Sequence, residues 1–94
     1  MNSAVEILTL KKEAVPLLRS GLAMKRAALK VSLERYSQRL QRFERQYQMD
    51  SAAFAAQFAR GELGDDANWF EWEFNLDAYQ ETQEQIRLLD QIEL

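Results

Sequence analysis

A chain of 94 residues without cysteine or histidine is one small domain that lacks disulfides, the usual zinc ligands and the usual acid–base catalyst at neutral pH. Its net charge of −3 conceals an asymmetry: residues 11–48 carry ten Lys and Arg against three acids, and residues 49–94 carry two Arg against eleven acids. With no long apolar run and no targeting segment, we expect a cytoplasmic protein with no membrane contact.

The first ten residues carry two conflicting signals. Ser3 and Glu6 fit a capping box, which starts a helix. Val5, Ile7 and Thr9 alternate with other residues as in a strand. Because nothing else in the chain resembles a strand, a strand here would pair with another subunit or another protein. We favour a short extended arm over residues 1–10.

Residues 11–48 are predicted to form a long basic helix, with a late start or a break near residues 16–21. Pro16 fits only the first turn of a helix or a kink, and Gly21 is a second weak point. Beyond Gly21, large apolar residues recur at alternating spacings of four and three, which is typical of a helix that packs along one seam. The seam consists of Leu29, Leu33, Tyr36, Leu40, Phe43 and Tyr47.

A short helix over residues 51–60 follows. Asp50 or Ser51 is a suitable N-cap, and Phe54 and Phe58 lie one turn apart, which gives this helix one apolar face. Gly61 is predicted to end it as the residue that follows the C-cap.

An acidic helix is predicted over residues 66–92, after a turn at Gly64. Asp65 or Asp66 supplies its N-cap. The seam predicted for this helix is Trp69, Trp72, Leu76, Tyr79, Gln83 and Ile86, with Gln83 as a polar gap.

These elements predict an all-α fold in one domain, a long antiparallel helical hairpin with a short corner helix. The basic helix beside the acidic one is electrostatically matched, and we expect surface ion pairs to fix the register more than the stability. Two helices cannot enclose such wide aromatic seams, so we expect a homo-oligomer, in the first place a dimer that forms a four-helix bundle, or a docked partner.

Residues 61–74 have the most unusual composition in the chain. They contain both tryptophans, two of the five phenylalanines and five carboxylates. One interpretation is core and corner packing under Phe54 and Phe58. The other is a partner-binding surface, because Trp and Phe are enriched at interfaces and acids beside aromatics can occupy a basic nuclease groove. The candidate partner-binding residues are Asp65, Asp66, Trp69, Phe70, Trp72, Glu73 and Phe74.

Catalysis, cofactors and metals are not indicated. Glu73, Asp77, Glu81 and Glu84 share one side of the acidic helix, but they lie off the seam and have no histidine beside them, so we interpret them as a solvated face. The alternative is that these acids, beside the aromatic residues, mimic RNA and occupy a basic nuclease groove. No nucleophile–base pair or phosphate-binding loop is present, and we expect a non-enzymatic protein.

A row of basic residues on the first long helix could contact phosphates. The row lacks a recognisable nucleic-acid reader, and pairing with the acidic helix would use the same charges, so nucleic-acid binding ranks low. The residues concerned are Lys25, Arg26, Lys30, Arg35, Arg39, Arg42 and Arg45.

Residues 61–73, which read Gly-Glu-Leu-Gly-Asp-Asp-Ala-Asn-Trp-Phe-Glu-Trp-Glu, resemble a group of short bacterial and archaeal helical proteins. These share a corner with a short helix, Gly-Glu-Leu, Asp-Asp and an aromatic–Glu–Trp segment. Members occur on the antitoxin side of toxin–antitoxin pairs of the TumE/TumA type. The resemblance covers roughly residues 35–80 and implies a non-enzymatic protein that neutralises a toxin by direct binding.

The sequence therefore favours an antitoxin-like protein-binding module. The alternatives are a structural coiled-coil protein whose only partner is itself and, below that, a helical nucleic-acid-binding protein.

Overall fold

The computed structural model describes residues 9–94, which fold into helices and connecting turns with no strand among them. A 3-10 turn at Lys12–Ala14 leads into α1 (Val15–Tyr47), and α2 (Ser51–Ala59) and α3 (Ala67–Asp90) follow. The all-α helical hairpin predicted from the sequence is confirmed. The N-terminal arm predicted over residues 1–10 lies almost entirely outside the described residues.

Helix α1 is continuous over 33 residues, so the break allowed for near residues 16–21 does not occur. Pro16 lies in the first turn, where its missing N–H removes no helical hydrogen bond. Gly21 lies within the helix without interrupting it. The helix ends at Gln48, which adopts a left-handed conformation with φ 54° and ψ 46°.

Local hydrogen bonds form the corner between α1 and α3. The Asp50 carboxylate accepts from the amide of Ala53 at 2.7 Å and caps α2. The amides of Gly61 and Glu62 donate to the carbonyls of Phe58 and Gln57, the pair of bonds that defines a Schellman motif. Gly61 has a φ of 71°, which explains why glycine follows the C-cap there.

The turn into α3 is built in the same way. Gly64 also has a positive φ, 80°. The Asp66 carboxylate accepts from the amide of Asn68 at 2.8 Å, so Asp66, and not Asp65, is the N-cap of α3. Together the two caps and the two glycines reverse the chain direction between Asp50 and Asp66.

The main core lies at the corner end of the hairpin. Leu40, Phe54 and Trp72 are buried there, one from each helix, so all three helices meet at one cluster. Contacts of Arg26 with Asp90, Arg39 with Asn75 and Tyr47 with Trp69 show that α1 and α3 run antiparallel. The partly buried residues packed around the cluster are Phe43, Tyr47, Met49, Phe58, Leu63, Trp69, Leu76 and Tyr79.

The inner face of α3 differs from the predicted seam. Asn75 and Thr82 are buried, whereas Gln83 is exposed. Asn75 donates to the carbonyl of Glu71 at 2.8 Å, and Thr82 donates to that of Ala78 at 2.7 Å. Thr82 thus meets its hydrogen-bonding requirement on its own helix. Asn75 is satisfied by its own helix and by Arg39 of α1, which donates to its side-chain oxygen at 3.3 Å, so both residues lie in the interface at low cost.

Charge pairing between the two long helices is sparse. Of the ion pairs in residues 9–94, Arg26–Asp90 at 2.7 Å joins α1 to α3, whereas Arg60–Glu62 and Arg87–Glu84 are local. Aromatic packing at the corner, rather than the predicted series of ion pairs, therefore sets the register. No helix in this part of the chain has both the length and the apolar character needed to cross a membrane.

A candidate protein-binding surface on the third helix

Trp72 is a core residue and not a partner-binding residue. Its side chain has 0% exposure, and its indole ring stacks on Phe54 with a centroid distance of 4.1 Å and an interplanar angle of 3°. Phe43 stacks on the same ring at 5.5 Å. A side chain enclosed by aromatic rings from α1 and α2 cannot reach a partner without unfolding the corner. The prediction that Trp72 binds a partner is therefore wrong.

A hydrogen-bond chain fixes Trp72 from its polar edge. The indole N–H donates to the hydroxyl of Ser51 at 3.0 Å, and this hydroxyl donates to the carboxylate of Glu44 at 2.8 Å. The same carboxylate oxygen accepts from the Ser51 amide at 2.9 Å. Glu44 in α1, Ser51 in α2 and Trp72 in α3 are thereby linked, and the buried indole N–H has a partner.

Trp69 belongs mainly to the same packing. It is half-buried against Tyr47, with ring centroids 4.7 Å apart. The neighbouring Asn68 donates to the Tyr47 hydroxyl at 2.6 Å. These contacts hold the first turn of α3 onto the last turn of α1, so Trp69 has a structural function that is sufficient to explain it.

Phe70 and Phe74 point outward. They are 52% and 63% exposed, and they lie one turn apart on the side of α3 that faces away from α1. Phe70 contacts the ring of Phe58 edge to face, with a centroid distance of 5.4 Å. This contact fixes one of the two exposed rings on the folded corner.

Carboxylates adjoin the two exposed rings along α3. Asp77 and Glu81 continue the spacing of Phe70 and Phe74 by three and four residues, so the four side chains share one helix face, called here the α3 outer surface. The whole of α3 carries six carboxylates and one arginine, Arg87. The α3 outer surface is therefore an aromatic pair beside a strongly acidic stripe.

The three acids predicted to bind a partner lie in different environments. Asp66 caps α3, Asp65 is exposed in the preceding turn, and Glu73 is half-buried beside the α3 outer surface. Of the predicted partner-binding residues, Phe70, Phe74, Asp65 and Asp66 are exposed. The 100° step between neighbouring helical residues separates Phe70 and Phe74 from Trp69 and Trp72.

The predicted seam residues fill the interior of the single chain. Leu29 and Leu40 are buried, and the others are half-buried between α1 and α3 or against α2. The nine predicted seam positions are Leu29, Leu33, Tyr36, Leu40, Phe43, Tyr47, Leu76, Tyr79 and Ile86. They are consequently occupied within the hairpin and leave little surface for a second copy.

Intramolecular contacts divide the basic row of α1. Arg26 pairs with Asp90, while Arg39 donates to Asn75 at 3.3 Å and lies over the ring of Tyr36 at 5.7 Å. The Asp90 hydrogen bond raises the pKa of Arg26, and the same bond lowers the pKa of Asp90. The other five residues of the row, Lys25, Lys30, Arg35, Arg42 and Arg45, form no ion pair within the described part of the chain.

Within residues 9–94, no cluster of three acidic side chains has the arrangement of a metal site. Comparison with protein-family models, curated proteins and solved structures finds no match to this chain. The fold is a helical hairpin with a capped corner.

Proposed function

We propose that this chain is a non-enzymatic protein-binding module of the antitoxin type, which neutralises a toxin by direct binding through the α3 outer surface. The observation that carries the proposal is the exposure of Phe70 and Phe74 on a helix whose other aromatic residues are packed inside. Large aromatic side chains left on a rigid surface are the residue type that dominates binding energy at protein interfaces.

The surroundings of these two rings favour a basic partner. Asp77 and Glu81 continue the same face, and both are exposed and free of ion pairs with the described part of the chain. An acidic stripe accelerates association with a basic surface and disfavours acidic ones. The resemblance of residues 61–73 to antitoxins that accompany small toxins agrees with a basic toxin as partner.

The packing of the two tryptophans in the core narrows the set of residues that can contribute binding energy. Because Trp72 is enclosed and Trp69 is packed on Tyr47, the binding energy is assigned to Phe70 and Phe74, with Asp77 and Glu81 contributing steering and specificity. The ring of Phe70 packs against the ring of Phe58, so the Phe70 side chain loses little conformational freedom when it binds a partner.

Co-expression tests this function. Where a small protein is encoded next to this chain, it is expressed in a bacterial host, alone or with the wild-type chain. We expect growth arrest from the neighbour alone and recovery with the wild-type chain. The double variant Phe70→Ala/Phe74→Ala should fail to restore growth, although circular dichroism should show an unchanged helical content because both rings are exposed.

Leu88→Ala is the matched control, since Leu88 is an exposed apolar residue on the same helix, about 21 Å from Phe74 at the rise of an α-helix. This control should restore growth as the wild type does. Recovery with the double variant at the wild-type level would rule out the α3 outer surface as the binding site.

A further inference from the structure

A second uncovered apolar surface lies on the outward face of the first half of α1. Leu17, Met24 and Val31 are 77%, 72% and 58% exposed, and they recur every seven residues. Gly21 and Ala28 lie between them and are also exposed. The five positions alternate at spacings of four and three, the pattern of a coiled-coil seam. They are called here the α1 outer seam.

The contacts of the single chain do not explain this surface. The opposite side of the same helix segment, including Leu29, faces α3. A Cβ atom built on Gly21 would have no atom within 4 Å, so nothing in the described part of the chain requires glycine there. Glycine is nevertheless among the least favourable residues inside a helix. A close approach by another backbone gives this position a physical reason.

We propose that the α1 outer seam is the interface of a homodimer in which α1 pairs antiparallel with α1 of a second copy. In the register centred between Leu22 and Ala23, Gly21 faces Met24 of the second copy, and Leu17 faces Ala28 of the second copy. Leu17 and Met24 then each meet a small residue of the seam, and Val31 falls opposite Ala14, the N-cap of α1, so the two rows interdigitate. The chain thus carries both halves of a self-complementary, isologous surface.

The other pairing direction fits the same residues badly. A parallel pair in register places Gly21 against Gly21 and Met24 against Met24, which leaves a void in one layer and crowds the next. No residue of the α1 outer seam is charged, so the size pattern, and not charge, distinguishes the two directions.

The area is compatible with a weak dimer. Full burial of a leucine, methionine or valine removes on the order of 100 Å² of apolar surface, so three such residues from each copy account for about 600 Å². The backbones at Gly21 and Ala28 and the flanking side chains bring the total towards about 1,000 Å², the low end for specific interfaces. We therefore expect a dissociation constant on the order of 1–100 μM.

Sedimentation analysis of the full chain between micromolar and hundreds of micromolar tests the dimer. The wild type should convert from monomer to dimer over this range. Met24→Glu should weaken dimerisation at least about 100-fold, because the carboxylate enters the interface twice. Phe74→Glu, an equally drastic change on the exposed face of α3, should leave the dimer unchanged. A wild type that stays monomeric, or a dimer unaffected by Met24→Glu, overturns the proposal.

A size exchange tests the register. Gly21→Met should weaken the dimer at least about 10-fold by opposing two methionines, while the monomer, which has open space there, stays helical. The double variant Gly21→Met/Met24→Gly restores one large and one small residue in each layer and should recover most of the affinity. If the double variant does not regain affinity, the proposed pairing of residues in layers is wrong.

Cysteine cross-linking tests the direction of the pair, since the natural chain has no cysteine. Leu17→Cys and Ala28→Cys proteins should form a disulfide efficiently when mixed and poorly when each is oxidised alone. Efficient cross-linking of either protein alone indicates the parallel pair and overturns the antiparallel one. The proposal uses only α1, so Met24→Glu and Phe74→Glu distinguish its failure from that of the function proposed for α3.

Discussion

The indole N–H of Trp72 donates a hydrogen bond of 3.0 Å to the hydroxyl of Ser51, which joins α3 to the first turn of α2 across the core. Ser51 in turn donates to Glu44 at the end of α1. Three helices therefore share one satisfied polar chain inside an aromatic cluster. This arrangement fixes which way α3 is rotated, and hence which aromatic residues face the solvent.

Ser51→Ala should destabilise the protein by about 1–3 kcal/mol, because it leaves the buried indole N–H without an acceptor. Urea denaturation followed by circular dichroism measures the free energy of unfolding. Ser20→Ala is the control, since Ser20 is exposed on α1, and a change within about 0.5 kcal/mol is expected there. Equal effects of the two variants would show that the hydroxyl of Ser51 contributes nothing.

Phe54→Ala and Phe74→Ala apply the same change to a residue with 0% exposure and to one with 63% exposure. Phe54→Ala should lower the free energy of unfolding by about 3–5 kcal/mol, because it removes buried apolar surface and leaves a cavity. Phe74→Ala should lower it by less than about 0.5 kcal/mol. Phe54→Leu, at a smaller cost, keeps the comparison measurable if Phe54→Ala fails to fold. A large loss with Phe74→Ala would mean that Phe74 belongs to the core.

Gln48 ends α1 with φ 54° and ψ 46°, a conformation that L-residues with a Cβ avoid. Gln48→Gly should therefore stabilise the protein by about 0.5–1 kcal/mol. The same substitution at exposed Gln41, inside α1, should destabilise it by about 1 kcal/mol. Thermal denaturation of both variants should show a stability change of opposite sign in the two. A similar loss of stability in both would contradict the left-handed conformation of the cap residue.

Acid should weaken the contact between the ends of α1 and α3. A hydrogen bond from Arg26, with the charges of Arg26 and Lys30, holds the pKa of Asp90 below its ordinary value. A carboxyl with a lowered folded pKa stabilises the protein fully above its unfolded pKa of about 3.9, and this contribution disappears as the pH falls through the lower folded pKa.

Asp90→Asn should consequently lower stability near neutral pH and make no difference at strongly acidic pH. Urea midpoints of the wild type and Asp90→Asn, measured from pH 7 to pH 2, provide the test. Both side chains are largely exposed, so the difference should be small and should shrink with added salt. If the urea midpoints of the wild type and Asp90→Asn still differ at pH 2, the loss of stability in the variant does not come from the missing charge.

Local signals made most of the fold predictable. Asp50 and Asp66 were readable as caps and Gly61 as a helix stop, because each acts through hydrogen bonds to neighbours in the sequence. The helical hairpin followed from the spacing of apolar residues in α1 and from the short distance between these signals.

Contacts between distant residues explain the failures. Asn75 and Thr82 occupy the interface because hydrogen bonds within α3, and for Asn75 also one from Arg39, satisfy them, whereas the regular spacing of the predicted seam placed Gln83 there instead. The predicted seam of the acidic helix contained Trp69 and Trp72 but not Phe70 and Phe74. Which pair is inside depends on Phe54, Phe43 and Ser51, which pack on Trp72 from other helices.

The α1 outer seam could not be predicted from the sequence, because it too depends on contacts between distant residues. The seven-residue recurrence of Leu17, Met24 and Val31 overlaps the stronger aromatic seam of the same helix. Only the orientation of α1 against α3 shows that one seam is used within the chain and the other is uncovered.

The central claim is that Phe70 and Phe74 form the contact with a protein partner. Calorimetric titration of the purified chain with a small protein whose toxicity it relieves in the co-expression test checks this most directly. The account predicts tight binding by the wild type and by Leu88→Ala, and a loss of about 30-fold or more for each of Phe70→Ala and Phe74→Ala. Unchanged affinity in these two folded variants would contradict it.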